Sequence, residues 1–282
     1  MNAGTESTNR ELTYPRLCLL IAEKPTRLSQ AMHNAGFKAA NLPYFYVAAD
    51  VSDTAAAIAA IRALGARGAS LTIPHKERAF ELVDTLSSEA KAIGAINTVI
   101  NDGCSLSGEN TDWVGVVEAL NETNYLFQGK TALVVGAGGA ARAGIFALKQ
   151  LGLGKILVTN RTAERAISAS KEFEVDFLSA SDLTKAGKVD LIVQATPAGS
   201  HLAEAQSSLL TEQTLTTLAP QVIFDMVTRD TSLLRWGRNL GITTVSGSRM
   251  LLFQALEQFK LFTGEPAPKT AMDAALTAEL NR

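Results

Sequence analysis

The chain has 282 residues, of which 46% are hydrophobic and 19% charged, enough for one large or two ordinary domains around a substantial core, and nothing in it suggests disorder or a repeat array. A formal net charge of −2 supplies no basic field, so neither nucleic acid nor an anionic membrane surface is an expected partner, and small molecules are. Two cysteines, Cys18 and Cys104, are too few for a disulfide framework, and the polar first residues lack the basic start and apolar run of an export signal, so a cytoplasmic protein with reduced thiols is expected.

In chain order, the apolar run Leu17–Ile21 reads as a strand, residues 29–35 as a helix that Gly36 would terminate, and YFYVAADV at 44–51 as a second strand. A helix over 53–66 precedes the short strand SLTI at 70–73, which ends at Pro74. Helical segments around 77–94 lead into INTVI at 96–100, the turn Asn101-Asp102-Gly103 and a strand reaching Asn110, a hairpin that would make the sheet mixed. After a helix at 112–122, the segment 121–130 loses periodicity and marks a junction. Strands at 131–135, 155–160, 189–196 and 221–227 then alternate with helices, the pattern of a parallel sheet covered on both faces. Two last helices, 249–263 and 270–281, are expected to return to the first domain. The expected division is 1–113 as an α/β substrate domain, joined by 248–282, and 114–247 as a Rossmann-like domain.

Gly136, Ala137, Gly138, Gly139, Ala140 and Ala141 stand between a strand and a helix and fit G-x-G-x-x-A. Without side chains at the first two glycines the backbone can approach a pyrophosphate, whose charge meets the amides of the helix N-terminus. An NAD site usually places an acid at the end of the second strand. Asn160 stands there, followed by Arg161, Thr162 and Arg165, which offer guanidinium donors to a 2′-phosphate. NADP is therefore the expected cofactor, ahead of NAD.

Three segments, 70–76, 94–100 and 108–113, are polar where strands end, which in open α/β sheets faces the ligand crevice. Lys76, Asn97 and Asp112 can converge there, with Lys76 passing a proton to a developing alkoxide and Asp112 orienting it. His75 serves equally as a relay or as a packed residue, His33 reads as structural, His201 lies in a polar loop, and no His/Cys set has metal spacing.

These segments resemble the shikimate dehydrogenase family: AMHN at 31–34, TIPHK at 72–76, AIGAINTVI at 92–100, NTDW at 110–113, VVGAGGAARA at 134–143, NRT at 160–162, ATPAG at 195–199, FDMV at 224–227 and MLLFQA at 250–255. The resemblance implies Lys76 and Asp112 as the catalytic pair and Thr72, Asn97 and Gln254 as binders of ring hydroxyls. To the cofactor side it adds Thr196, Pro197, Met226 and Gly247. Where the family has a Ser-x-Ser pair for the substrate carboxylate, this chain has Arg27-Leu28-Ser29; Ser70, Thr228 and Arg249 replace its Asn, Tyr and Gly. Because hydroxyl-reading sites discriminate steeply, such changes bear on the substrate more than on the reaction. The chain resembles the divergent, shikimate-dehydrogenase-like branch.

The resulting expectation is an NADP-dependent interconversion of shikimate and 3-dehydroshikimate, in a monomer or homodimer, with Arg27, Ser29 and Ser70 also lining the substrate pocket. Quinate or another cyclitol carboxylate is the alternative substrate. A non-catalytic NADP-binding sensor and a dehydrogenase of the methylenetetrahydrofolate type are the alternatives from other classes.

Overall fold

The computed structural model describes residues 14–200 and 208–282. Residues 1–13 and His201 lie outside the described residues. The first sheet begins with β1 (Arg16–Ala22), whose residues are buried on alternate faces as a period of two requires. Cys18, Leu20 and Ala22 join one core with Met32 and Phe259, while Leu19 and Ile21 join another with Ile58 and Ile61. A strand covered on both faces must be apolar throughout, which is why no alternation shows in its sequence. Each such fully buried Leu or Ile stabilises the fold by roughly 1.5–3 kcal/mol.

β1 is flanked by the parallel strands β2 (Tyr44–Asp50) and β3 (Gly68–Leu71). Beyond β3 comes the hairpin of β5 (Thr98–Asn101), antiparallel to β3, and β6 (Leu106–Glu109), antiparallel to β5, and then β4 (Thr85–Leu86), parallel to β6. The order β2-β1-β3-β5-β6-β4 is the expected mixed sheet. β4 falls inside the stretch whose sequence predicts helix, because two residues carry no period. Short helices surround it, α3 (His75–Arg78) before and α4 (Ser88–Ile93) after, while α1 (Leu28–Ala39) and α2 (Thr54–Ala63) connect the parallel strands.

The second sheet is parallel throughout, ordered β12-β11-β10-β7-β8-β9. Its strands are β7 (Thr131–Val135), β8 (Lys155–Thr159), β9 (Asp176–Phe177), β10 (Leu191–Gln194), β11 (Val222–Asp225) and β12 (Thr243–Ser246). Counted within the sheet, this is the 3-2-1-4-5-6 order of dinucleotide-binding sheets, with its topological switch between β7 and β10. β9 and β12 are additions to the strands expected from sequence. The helices of this half are α6 (Gly139–Gln150), α7 (Ala163–Phe173), α8 (Glu212–Leu218) and α9 (Ser232–Asn239).

α5 (Asp112–Asn121) joins the halves, packing on both α6 and α10 (Gly247–Thr263). α10 and α11 (Lys269–Leu280) return to α1, as expected. Gly36 does not end α1: it sits inside the helix, where an added Cβ would come 3.0 Å from Met272 and Phe259, so its smallness serves the approach of α10 and α11. At Gly115 on α5 a Cβ would stand 2.6 Å from the Met250 carbonyl oxygen of α10. Gly115→Val is therefore expected to destabilise the protein by about 1–3 kcal/mol, seen as a lower urea midpoint.

Cys18 and Cys104 are both free, and burial pushes the Cys18 thiol up to about 12, so it is no nucleophile. Among the described residues no helix is long and apolar enough to cross a membrane.

Candidate active site

Topology explains why distant segments meet. β3 and β6 end, and antiparallel β5 begins, at one edge of the first sheet, and backbone bonds from Leu71 to Asn97 and from Asn97 to Glu109 tie these points together. Asn97 thus reaches the crevice from the start of a strand, not from an end as the sequence suggested.

Lys76 Nζ donates to Asp112 Oδ2 at 2.5 Å, with the side chains 15% and 4% exposed. The other oxygen, Oδ1, accepts from Asn97 Nδ2 at 2.9 Å. Asn97 also donates to Thr111 Oγ1 at 2.9 Å and to Gln254 Oε1 at 3.3 Å, while its Oδ1 accepts from the Thr111 amide and the Thr98 hydroxyl, each at 2.8 Å. Asp112 is held at its own amide by Asn110 Oδ1 at 3.0 Å. The carboxylate is fixed from two sides, so the ammonium it faces has one position, on the wall of the cleft.

That cleft, about 690 Å³, lies between the two sheets. From the first half it is lined by Ser29, Ser70, Thr72, Lys76, Asn97 and Asp112, with Gln254 of α10. From the second it is lined by Gly136, Ala137, Gly138, Gly139 and Ala140, by Asn160 and Arg165, and by Thr196, Pro197, Met226 and Gly247. Gly136 has φ +127°, and a Cβ there would stand 3.1 Å from the Ala195 carbonyl across the switch point. Gly138 is the N-cap of α6 and brings no side chain to its amides. A glycine cradle at a helix N-terminus, with Asn160 just after β8 and Arg165 in the first turn of α7, fits a dinucleotide carrying a 2′-phosphate.

Three sets of expected residues fall elsewhere. Arg27 is exposed at the N-cap of α1 and does not line the cleft. It is a long charged side chain at the entrance of a buried helix, and its lowest-cost position is in water. Arg161 and Thr162 are exposed in the turn before α7 and do not line the cleft, while Asn160 Nδ2 donates to the Thr162 carbonyl at 3.0 Å. Arg249 is also away from the substrate end: it pairs with Glu122 at 2.7 Å and Asp273 at 3.0 Å, tying α5, α10 and α11 together. Of the four departures only Ser70 and Thr228 line the cleft.

His75 is buried and turned from the cleft, bonded to Thr54 Oγ1 and the Val51 carbonyl, each at 2.8 Å, so it positions α3 rather than relaying protons. His33 is buried and stacked on Tyr46, and burial pushes it down to about 4. Among the described residues no group of His, Cys, Asp and Glu could hold a metal.

Three family models match the chain in order: the shikimate dehydrogenase substrate binding domain over residues 25–99, shikimate / quinate 5-dehydrogenase over 118–231, and the shikimate 5′-dehydrogenase C-terminal domain over 247–277. The shikimate dehydrogenase (NADP(+)) of Moorella thermoacetica is 37% identical over 88% of each chain, and that of Rubrobacter xylanophilus 39% identical over 89% of this chain and 92% of the other. The chain belongs to the shikimate dehydrogenase family. The fold agrees: the shikimate 5-dehydrogenase of Thermus thermophilus, solved in complex with NADP(H) and shikimate, superposes with a TM-score of 0.83 at 33% identity, over 94% of this chain and 100% of the other.

In this shikimate dehydrogenase family member, the pocket floor is a chain of hydrogen bonds. Tyr46 donates to Ser70 Oγ at 2.7 Å, Ser70 donates to Gln258 Oε1 at 2.8 Å, and Gln258 Nε2 donates to Thr98 Oγ1 at 2.9 Å and to the Asn97 carbonyl at 3.3 Å. Gln258 has spent its amide on these partners, and Ser70 retains one lone pair. Sequence reading missed Gln258 and Tyr46. The signal for Gln258 was present, a second amide one helical turn after Gln254 inside an apolar run.

Asp225, at the end of β11, accepts from Thr231 Oγ1 at 2.6 Å and from the Val227 amide at 3.1 Å, shaping the loop that carries Met226 and Thr228. Burial pushes its carboxyl from 3.8 up to about 6. The folded protein therefore holds a proton there that the unfolded chain releases, so this residue's stabilising effect grows as pH falls from about 6 to 3.8. Against Asp225→Asn, the unaltered protein should gain on the order of 3 kcal/mol in relative stability over that window, measured by urea unfolding at each pH.

Proposed function

We propose that this protein interconverts shikimate and 3-dehydroshikimate with NADP as the redox partner. The observation that carries the reading is the fixed Lys76–Asp112 pair at 2.5 Å, facing a glycine cradle across one cleft. When bound, the nicotinamide supplies the hydride acceptor or donor. The chain's own residues do the rest. Lys76 holds the proton that a ring alkoxide gains or a ring hydroxyl loses, and Asp112 balances its charge and fixes its direction. Thr72, Asn97 and Gln254 read the ring hydroxyls, with Ser29 and Ser70 beside them, and Ser70 offers a lone pair to a hydroxyl donor. Gly136 to Ala140 carry the pyrophosphate, with Asn160 and Arg165 at the ribose 2′-phosphate. Thr196, Pro197, Met226 and Gly247 complete the wall on the nicotinamide side.

We also propose the functional division that this implies: residues 1–113 and 248–282 present the substrate groups, and 114–247 the cofactor groups. The description of the matched family model names quinate beside shikimate, so the reading is tested with both. Initial rates of NADP+ reduction on shikimate, quinate and related hydroxylated ring acids are expected to give shikimate the highest kcat/KM. A higher value on quinate would move the assignment to the quinate side of the family.

A further inference from the structure

Glu77 follows Lys76 on α3, in the half that carries the proton-transfer pair, yet its side chain crosses to the other half. Its Oε1 lies 3.7 Å from the position a Cβ would take on Gly138, at the mouth of the glycine cradle. Its Oε2 lies 3.8 Å from Arg165 Nη2 on α7. One carboxylate therefore addresses two positive features, the helix N-terminus of α6 and the guanidinium beside the 2′-phosphate position. No side chain caps the first amides of α6, so the potential that Glu77 meets there is that of the bare helix end.

We propose that Glu77 is a built-in competitor for the cofactor's phosphates: it holds Arg165 and the mouth of the cradle, and a dinucleotide must take both from it. This inference rests on the NADP reading above. Its consequence is a moderated grip. A 2′-phosphate gains Arg165 only as Glu77 loses it, and a pyrophosphate seated in the cradle faces a nearby negative charge. NAD+, with no 2′-phosphate, leaves the Glu77–Arg165 pair in place and feels only the second effect. The contest also reaches the catalytic side, because Lys76 Cβ is 3.4 Å from the position a Cβ would occupy on Gly139. The pair is half exposed, so its weight lies in the two phosphates it opposes and not in fold stability.

The test is calorimetric titration of NADP+ and of NAD+ into the full chain at low salt, unaltered and as Glu77→Gln, which keeps size and polarity and removes the charge. Glu77→Gln is expected to bind NADP+ about three- to tenfold more tightly, with a smaller gain for NAD+, and the gain should shrink as salt is added. Unchanged or weaker NADP+ binding by Glu77→Gln would overturn the competition. So would equal gains for both dinucleotides, because Arg165 would then not be contested. Binding of neither dinucleotide by the unaltered chain would overturn the cofactor reading itself, and the competition with it.

Discussion

Lys76→Ala is expected to lower kcat for shikimate oxidation by about 10²–10⁴-fold while leaving NADP+ binding within about twofold of the unaltered protein. Among the described residues the Lys76 ammonium, at 2.5 Å, is the only cationic group bonded to Asp112. The Lys76 backbone carbonyl is separately used by the Ile96 amide at 2.9 Å, so truncation removes the ammonium without unpinning α3. Steady-state rates beside a calorimetric titration separate the two quantities. A variant that keeps more than a tenth of the activity would remove Lys76 from the chemistry. Asp112→Asn should fall in the same direction, since it keeps the hydrogen-bonding shape and loses the charge that faces Lys76.

Asn97 is expected to have the largest combined effect on stability and rate. It is 1% exposed, and its amide serves the Asp112 carboxylate, the Thr111 amide and hydroxyl, and the Thr98 hydroxyl. Asn97→Ala leaves several of these buried without partners, at about 1–3 kcal/mol for each group not satisfied by an entering water. A loss of about 2–4 kcal/mol overall, and a fall in kcat from the freed Asp112, are expected. Asn97→Asp should be worse in spite of its shape, because it sets a second carboxylate where the amide now donates to Asp112 at 2.9 Å. Urea midpoints together with kcat check both variants; an Asn97→Asp protein as stable and active as the unaltered one would contradict the hydrogen-bond assignment.

The parts of the fold that could be read in the sequence were those whose burial forces a pattern. After their first residues, Arg16 and Thr131, β1 and β7 carry no charged or strongly polar side chain because each packs a core on both faces, and the glycines at 136 and 138 stand out because a strand-to-helix turn tolerates little else. β4 and β9, two residues each, had no period to show, and β12 lies behind a polar turn. Gly36 reads locally as a helix stop, and only the presence of Phe259 and Met272 explains why the helix continues through it. In the site, Lys76, Asn97 and Asp112 came from segments whose polarity is costly in a core unless used, whereas Gln254 was implied only by the family resemblance. Arg27 was assigned to the pocket by its place in a motif, but its length and charge carry it to solvent. Glu77 gave no signal at all, because its importance comes from Arg165 and Gly138, which only the fold brings near.

If the two halves form one hydride-transfer site, single turnover of NADP+ with shikimate deuterated at the carbon bearing the oxidised hydroxyl delivers one deuterium to the nicotinamide for each 3-dehydroshikimate formed, with no such transfer in Lys76→Ala on the same timescale. Tight NADP+ binding with no deuterium transferred by the unaltered protein, from shikimate or from quinate, would contradict a shared site.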